Sequence, residues 1–322
     1  MMNWIVIFFR FLFSNKWKIV LTLLMTLVFL FILFPLSDLN DLISSQVSKL
    51  TGNNVFLQFE KMHLNPLTTS ISLEKVYVET QQISSLTSEE LSLSPSISAL
   101  LAKKPGGKIA AKGFLKGELE ISVHPAAAAS SGVSRSKIEV VANNISLKEA
   151  RAVANISLPI KGELSLTSQA VADLALTEQP ELDLNITIMK FELAATSIPL
   201  QDFGQIALPE IKMGKVELKG RLSNGKFQIE NGKLGTNKDE LYGEVKGDLA
   251  ITFQNVNGQV APIIGAYNIS VDIKATPAFK DKAKLFLSFL DGYKVDAGSV
   301  SNYKFKISAA QMGMAPQFTP LR

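Results

Sequence analysis

The chain holds two histidines, His63 and His124, and no cysteine. General acid–base work needs a titratable group beside a partner, and thiolate chemistry needs sulfur. His63 falls in a strand or turn, KMHLNP, and His124 opens a loop rich in Ala and Ser, so neither sits in a cluster. With no His/Cys cluster, the ligand set of a zinc site is missing. Walker A, GxGxxG and Gly-x-Ser-x-Gly motifs are absent. Acidic pairs occur at Glu89-Glu90, at Asp239-Glu240, and at Asp281 with Asp291. Two-carboxylate hydrolysis needs acids facing each other across a substrate, whereas neighbours on a strand point to opposite faces. Asn-x-Ser/Thr triplets at Asn144, Asn155, Asn185 and Asn268 fall in alternations that strands produce by chance. The expectation is a non-enzymatic protein with no catalytic residue, no metal and no cofactor, whose function lies in its surfaces.

One segment says where those surfaces stand. Residues 19–36, IVLTLLMTLVFLFILFPL, carry no charge. At about 1.5 Å per residue they make roughly 27 Å of helix, close to the ~30 Å hydrocarbon core. Arg10, Lys16 and Lys18 precede the run, and Asp38 and Asp41 follow it. The positive-inside rule then leaves 1–18 as a cytoplasmic or interfacial N-terminus, 19–36 as an uncleaved transmembrane helix, and the bulk of the chain outside the cytoplasm. Of the net charge of +4, those three basic residues supply +3, so residues 37–322 carry 4 − 3 = +1. Nucleic acid is therefore not an expected partner. A cysteine-free exterior suits a periplasm.

The remaining 322 − 36 = 286 residues are mainly β with few short helices. Leu39, Leu42, Ile43, Val47 and Leu50 recur at helical spacing before Gly52, which predicts a helix over 38–50. The period then changes to two around Val55, Leu57 and Phe59, and again from Ile71 to Val78. Residues 91–103 read as a strand and a short helix, with Pro95 in its first turn and Leu100 and Leu101 facing inward. The membrane-proximal segment is 37–105 and the β-rich periplasmic domain is 106–312. A flexible Ala/Ser loop covers 124–136, and a poorly ordered tail covers 313–322. Four strands open on a glycine: Gly117, Gly162, Gly220 and Gly247. Their intervals of 45, 58 and 27 residues fit successive strands of one sheet rather than a fixed repeat. Beyond residue 106, helices are expected at 146–154, around 201–206 and at 277–291. The predicted architecture is an elongated, curved, mostly antiparallel sheet, forming an open groove or a flattened barrel. One of its faces is apolar, with little helix to cover it.

The order of elements resembles known families. The anchor, the helix, TGNNVFLQF, SISLEKVYVE, LSLSPSISALL and GFLKGELEIS together resemble the start of AsmA-like proteins. KGRLSNGKFQIENGKLGTNKDELYGEVKGDLAIT and the closing DGYKVDAGSVSNYKFKISAAQMGMAPQFTP are similar to the type II secretion system protein GspN family. The final SAAQMGMAP departs from that family's closing pattern, which puts the last strand in question. The resemblance implies a single-pass protein of the bacterial inner membrane, an accessory component of the secretion apparatus with secretion-system subunits as partners. The AsmA-like half implies a second reading, phospholipid binding or transfer in an apolar β groove. That groove is expected to be lined by Val140, Ile156, Leu164, Leu166, Leu184, Ile186 and Ile188.

Overall fold

The computed structural model describes residues 16–33, 39–65, 68–80, 85–126, 134–173, 176–200, 204–256, 259–297, 300–311 and 313–321. Two helices come first, α1 (Lys16–Leu33) and α2 (Leu39–Leu50). Strands β1 (Val55–Gln58), β2 (Lys61–Asn65), β3 (Ser70–Thr80) and β4 (Leu86–Pro95) lead to α3 (Ile97–Leu101). Then follow β5 (Gly107–Phe114), β6 (Gly117–Pro125), β7 (Ser136–Ser146), α4 (Leu147–Val153), β8 (Ile160–Ala172) and β9 (Glu181–Leu193). A separate hairpin pairs β10 (Thr196–Leu200) with β11 (Gly204–Leu208). The main sheet resumes with β12 (Ile211–Ser223), β13 (Lys226–Leu234), β14 (Leu241–Val256) and β15 (Gln259–Ala275). Helices α5 (Pro277–Lys282) and α6 (Lys284–Ser288) precede β16 (Lys294–Ala297), β17 (Val300–Ala309) and β18 (Gln317–Pro320).

These strands form one 16-stranded sheet in which chain neighbours are almost always sheet neighbours, paired antiparallel. The sheet is open, so the flattened-barrel alternative is wrong. Both outer edges are built from two short strands end to end. On one, β1 and β2 pair with β3; on the other, β16 and β18 pair with β17. Short, broken edge strands discourage edge-to-edge association.

The four glycine-led segments lie on β6, β8, β12 and β14, every second strand of the sheet, so they run in one direction. Their glycines mark irregular pairing. The β8–β9 register shifts around Gly162, at φ +144°, and the β13–β14 register shifts beside Gly247, at φ +152°. At Gly247 a Cβ would collide with the Asn268 carbonyl oxygen on β15. Bulges of this kind bend and twist a sheet locally.

Several expectations change. Among the described residues no helix is long and apolar enough to cross a membrane. Helix α1 supplies only 33 − 19 + 1 = 15 residues of the expected span, about 22 Å of rise, and 34–36 lie outside the described residues, as do 1–15. Pro95 ends β4 instead of entering a helix, and Ser96 caps α3 by accepting from the Ala99 N–H at 3.3 Å. Leu100 and Leu101 are exposed, because the residue facing inward is the small Ala99, set against Gly106. Of the helix expected at 201–206, the described part belongs to strand β11, and 201–203 lie outside the described residues. The 277–291 helix is two short helices and a 3-10 turn at Asp291–Tyr293. The tail is not loose: Gln317–Pro320 forms β18. Of the Ala/Ser loop, 127–133 lie outside the described residues.

Candidate apolar binding face

Residues paired directly across an antiparallel sheet share a face. Three rows of pairs place six of the expected groove residues together. Val140 pairs with Ser168 and that with Leu184; Ala142 pairs with Leu166 and that with Ile186; Ile145 pairs with Leu164 and that with Ile188. Ile156 is not among them. It lies in the exposed turn after α4, because β8 starts only at Ile160.

The rows do not stop at β9. Ile186 pairs with Leu218, then come Gly232, Val245, Val271 and Phe305. In the other direction Ala142 pairs with Leu119, then come Ala111, Leu91 and Leu73. The register thus carries one apolar face from β3 to β17. It is packed at its two ends. Leu39 and Ile43 of α2 cover Phe59, Met62, Leu73 and Val76. Phe279, Ala283 and Leu287 of α5–α6 cover Met213, Ile273, Tyr303 and Phe305. Between these clusters Ala111, Ala142, Ile145, Leu222 and Phe227 are buried, most of the other apolar side chains are half-buried, and Ile109 is 42% exposed.

Two concavities open in that middle stretch. One, of about 140 Å³, is lined by Val76, Val78, Leu91, Ala111 and Leu119 among others. The next, of about 380 Å³, is lined by Leu93, Pro95, Ile121 and Val123, and Ile109 borders both. These β3–β6 residues were not expected site residues, although the same period-two alternation marks them in the sequence. What singles them out is the space left beside the α2-covered cluster, bordered by the exposed Ile109.

The opposite face is charged and internally paired. Glu90–Lys112 (2.9 Å), Asp183–Arg221 (2.6 Å), Lys161–Glu192 (3.5 Å) and Asp272–Lys304 (3.3 Å) join directly paired residues of adjacent strands. Such exposed pairs contribute little to stability, because solvent screens them. Their larger effect is on register, since a slip of one residue would turn the charges onto the apolar side.

No catalytic constellation emerges among the described residues. His63 pairs with Glu74 at 3.0 Å on the sheet surface, and His124 lies on β6, away from it. Glu240 is held by Lys282 at 2.8 Å. Asp239 caps a turn, accepting from the N–H of Thr236 (2.6 Å), from that of Gly214 (3.0 Å) and from the Thr236 hydroxyl (2.9 Å). Burial pushes its carboxyl up, but the three donors outweigh this and hold it below the ordinary value. No group of three or more metal-ligating side chains occurs among the described residues. Comparison with protein-family models, curated proteins and solved structures finds no match to the chain.

Proposed function

We propose that this is a membrane-anchored, non-enzymatic lipid-binding protein, which holds phospholipid acyl chains on the apolar face of its open sheet. The observation that carries the reading is the continuous apolar register from β3 to β17, covered by helices at both ends and left open at Ile109 and the two concavities that it borders. An apolar face of this extent in water is unfavourable by about 25 cal/mol per Å², and exposed patches larger than a few hundred Å² mark interaction sites. An acyl chain gains about 0.8 kcal/mol per CH₂ on leaving water. Transfer from a bilayer to such a face is therefore close to neutral. In this reading residues 19–36 anchor the chain in the bacterial inner membrane, with the N-terminus cytoplasmic and the sheet in the periplasm.

The test is lipid analysis of the full chain purified in mild detergent. Phospholipid is expected to accompany the protein, and Ile109→Asp with Leu119→Asp to remove it while the circular dichroism stays that of the wild type. Lipid-free wild-type protein would reject the reading.

A second reading, an accessory subunit of the type II secretion apparatus, rests on the order of sequence elements shared with the GspN family. Crosslinking in cells separates the two. Recovery of no secretion subunit, with normal secretion in a deletion strain, would sink it.

A further inference from the structure

Helix α3 presents its apolar side chains to water. Ile97, Leu100 and Leu101 are 56%, 61% and 82% exposed. The helix is nonetheless firmly seated. Ala99 is buried against Gly106, where any Cβ would collide with it, and the Ser96 N–H donates to the Gly106 carbonyl at 3.1 Å. A pinned helix whose buried residue is an alanine and whose leucines point outward is built to offer those leucines to something else.

The surrounding charge indicates what. From Leu91 to Gly117 the chain carries five lysines and no acid. Three of the lysines are neutralised from elsewhere: Lys108 by Glu120, Lys112 by Glu90 and Lys116 by Glu149. Lys103 and Lys104, directly after the exposed leucines, form no ion pair among the described residues. Leucines ending in two free lysines match a bilayer surface, with apolar groups entering below the headgroups and ammonium groups at the phosphates.

Topology adds a position. The chain alternates direction from strand to strand, so the end of α2, α4, the β10–β11 hairpin and α5–α6 fall at one rim of the sheet. Helix α3 falls at the other rim, among the first strands. The concavity lined by Leu93, Pro95, Ile121 and Val123 adjoins it.

We propose that α3 is a second membrane contact, docking on an anionic phospholipid bilayer through Leu100 and Leu101 with Lys103 and Lys104 at the phosphates. It sets the β4–β6 concavity over the lipid surface. The contact itself does not depend on lipid being the ligand of the apolar face.

Because the chain has no cysteine, Leu101→Cys creates one labelling site for an environment-sensitive dye. The labelled full-length protein is presented to phosphatidylethanolamine vesicles with and without phosphatidylglycerol, whether or not α1 inserts, with a quencher on the acyl chains. A blue shift and quenching are expected in the phosphatidylglycerol vesicles. The same dye at Lys219→Cys, on the charged face, should show neither. Lys103→Glu with Lys104→Glu should weaken docking about fivefold per lysine. A dye at position 101 that stays unquenched in phosphatidylglycerol vesicles overturns the proposal, including the case where α3 binds only a protein. Loss of co-purifying lipid with quenching intact would instead strike the lipid reading alone.

Discussion

The side-chain amide of Gln179 is paired with the backbone of Phe253, 74 residues away. Its Nε2 donates to the Phe253 carbonyl at 3.0 Å, and the Phe253 N–H donates to its Oε1 at 2.9 Å. The pair matters because of what lies beyond the sheet at that rim. Strand β13 pairs with β14 only as far as Ala250, and β17 pairs with β15 only from Tyr267. The hairpin continues to Val256 and Gln259 without a strand neighbour. Gln179 imitates one, tying this arm to the β8–β9 connection.

Gln179→Ala should therefore loosen the arm without unfolding the sheet. Losing the pair costs about 1 kcal/mol locally, a five- to tenfold fall in hydrogen-exchange protection. The readout is the Phe253 amide, with the global urea midpoint nearly unchanged. Unaltered protection at Phe253 would show that the arm is held by something else.

Gly247→Ala should destabilise the whole sheet. At φ +152° an alanine is strained, and its Cβ meets the Asn268 carbonyl. A loss of about 2–4 kcal/mol is expected in urea denaturation. A neutral substitution would mean that the β14–β15 spacing is softer than its register implies.

Core and open face should respond differently to truncation. Phe279 is 1% exposed in the α5–α6 cluster, so Phe279→Ala should cost about 3–5 kcal/mol. Ile109 lies in the uncovered stretch, and Ile109→Ala should cost under about 1 kcal/mol. Equal losses would make the middle of the face a packed core and remove the basis for lipid binding.

Acid should weaken the fold through the charged face. The Lys112 ammonium, hydrogen-bonded to Glu90 at 2.9 Å, holds that carboxyl below its ordinary 4.5. Hydrogen bonds from Lys137 and Lys246 act likewise on Glu139 and Glu244. A depressed folded-state value means that the unfolded chain binds more protons in this range, so stability rises with pH there. It should be full above the ordinary carboxylate range and fall as pH drops through the depressed values. Urea midpoints between about pH 6 and about pH 3 measure this, and Lys112→Met should flatten the Glu90 part of the slope.

Residues 1–36 should govern membrane attachment. The full chain is expected to pellet with membranes and resist alkaline extraction, and deletion of 1–36 to release most of it. Alkaline extraction of the full chain would argue against a spanning helix.

Much of the sheet was legible because strand patterning is local. The alternation around Val55 to Phe59 and from Ile71 to Val78 indicated β1 and β3, and the expected groove residues Val140, Leu166 and Ile186 do share a face. Ile156 was misplaced because Asn155 to Leu158 alternate like a strand, yet the chain joins the sheet only at Ile160. Leu100 and Leu101 were misread for a related reason. A helical pattern says which residues share a face but not whether that face turns inward, and Gly106 admits only Ala99. The tail lacked a strand signal of its own, since β18 is held by pairing with β17.

By itself the sequence determined that the protein is β-rich, two-faced and poor in catalytic groups, because side-chain alternation and residue type are properties of the chain. Only the tertiary structure decided that the sheet stays open, that its apolar face is covered by helices at the ends and partly open between, and that α3 points its leucines outward. Those outcomes depend on which strands become neighbours and on where the few helices land, and such long-range pairings leave no local mark in the sequence.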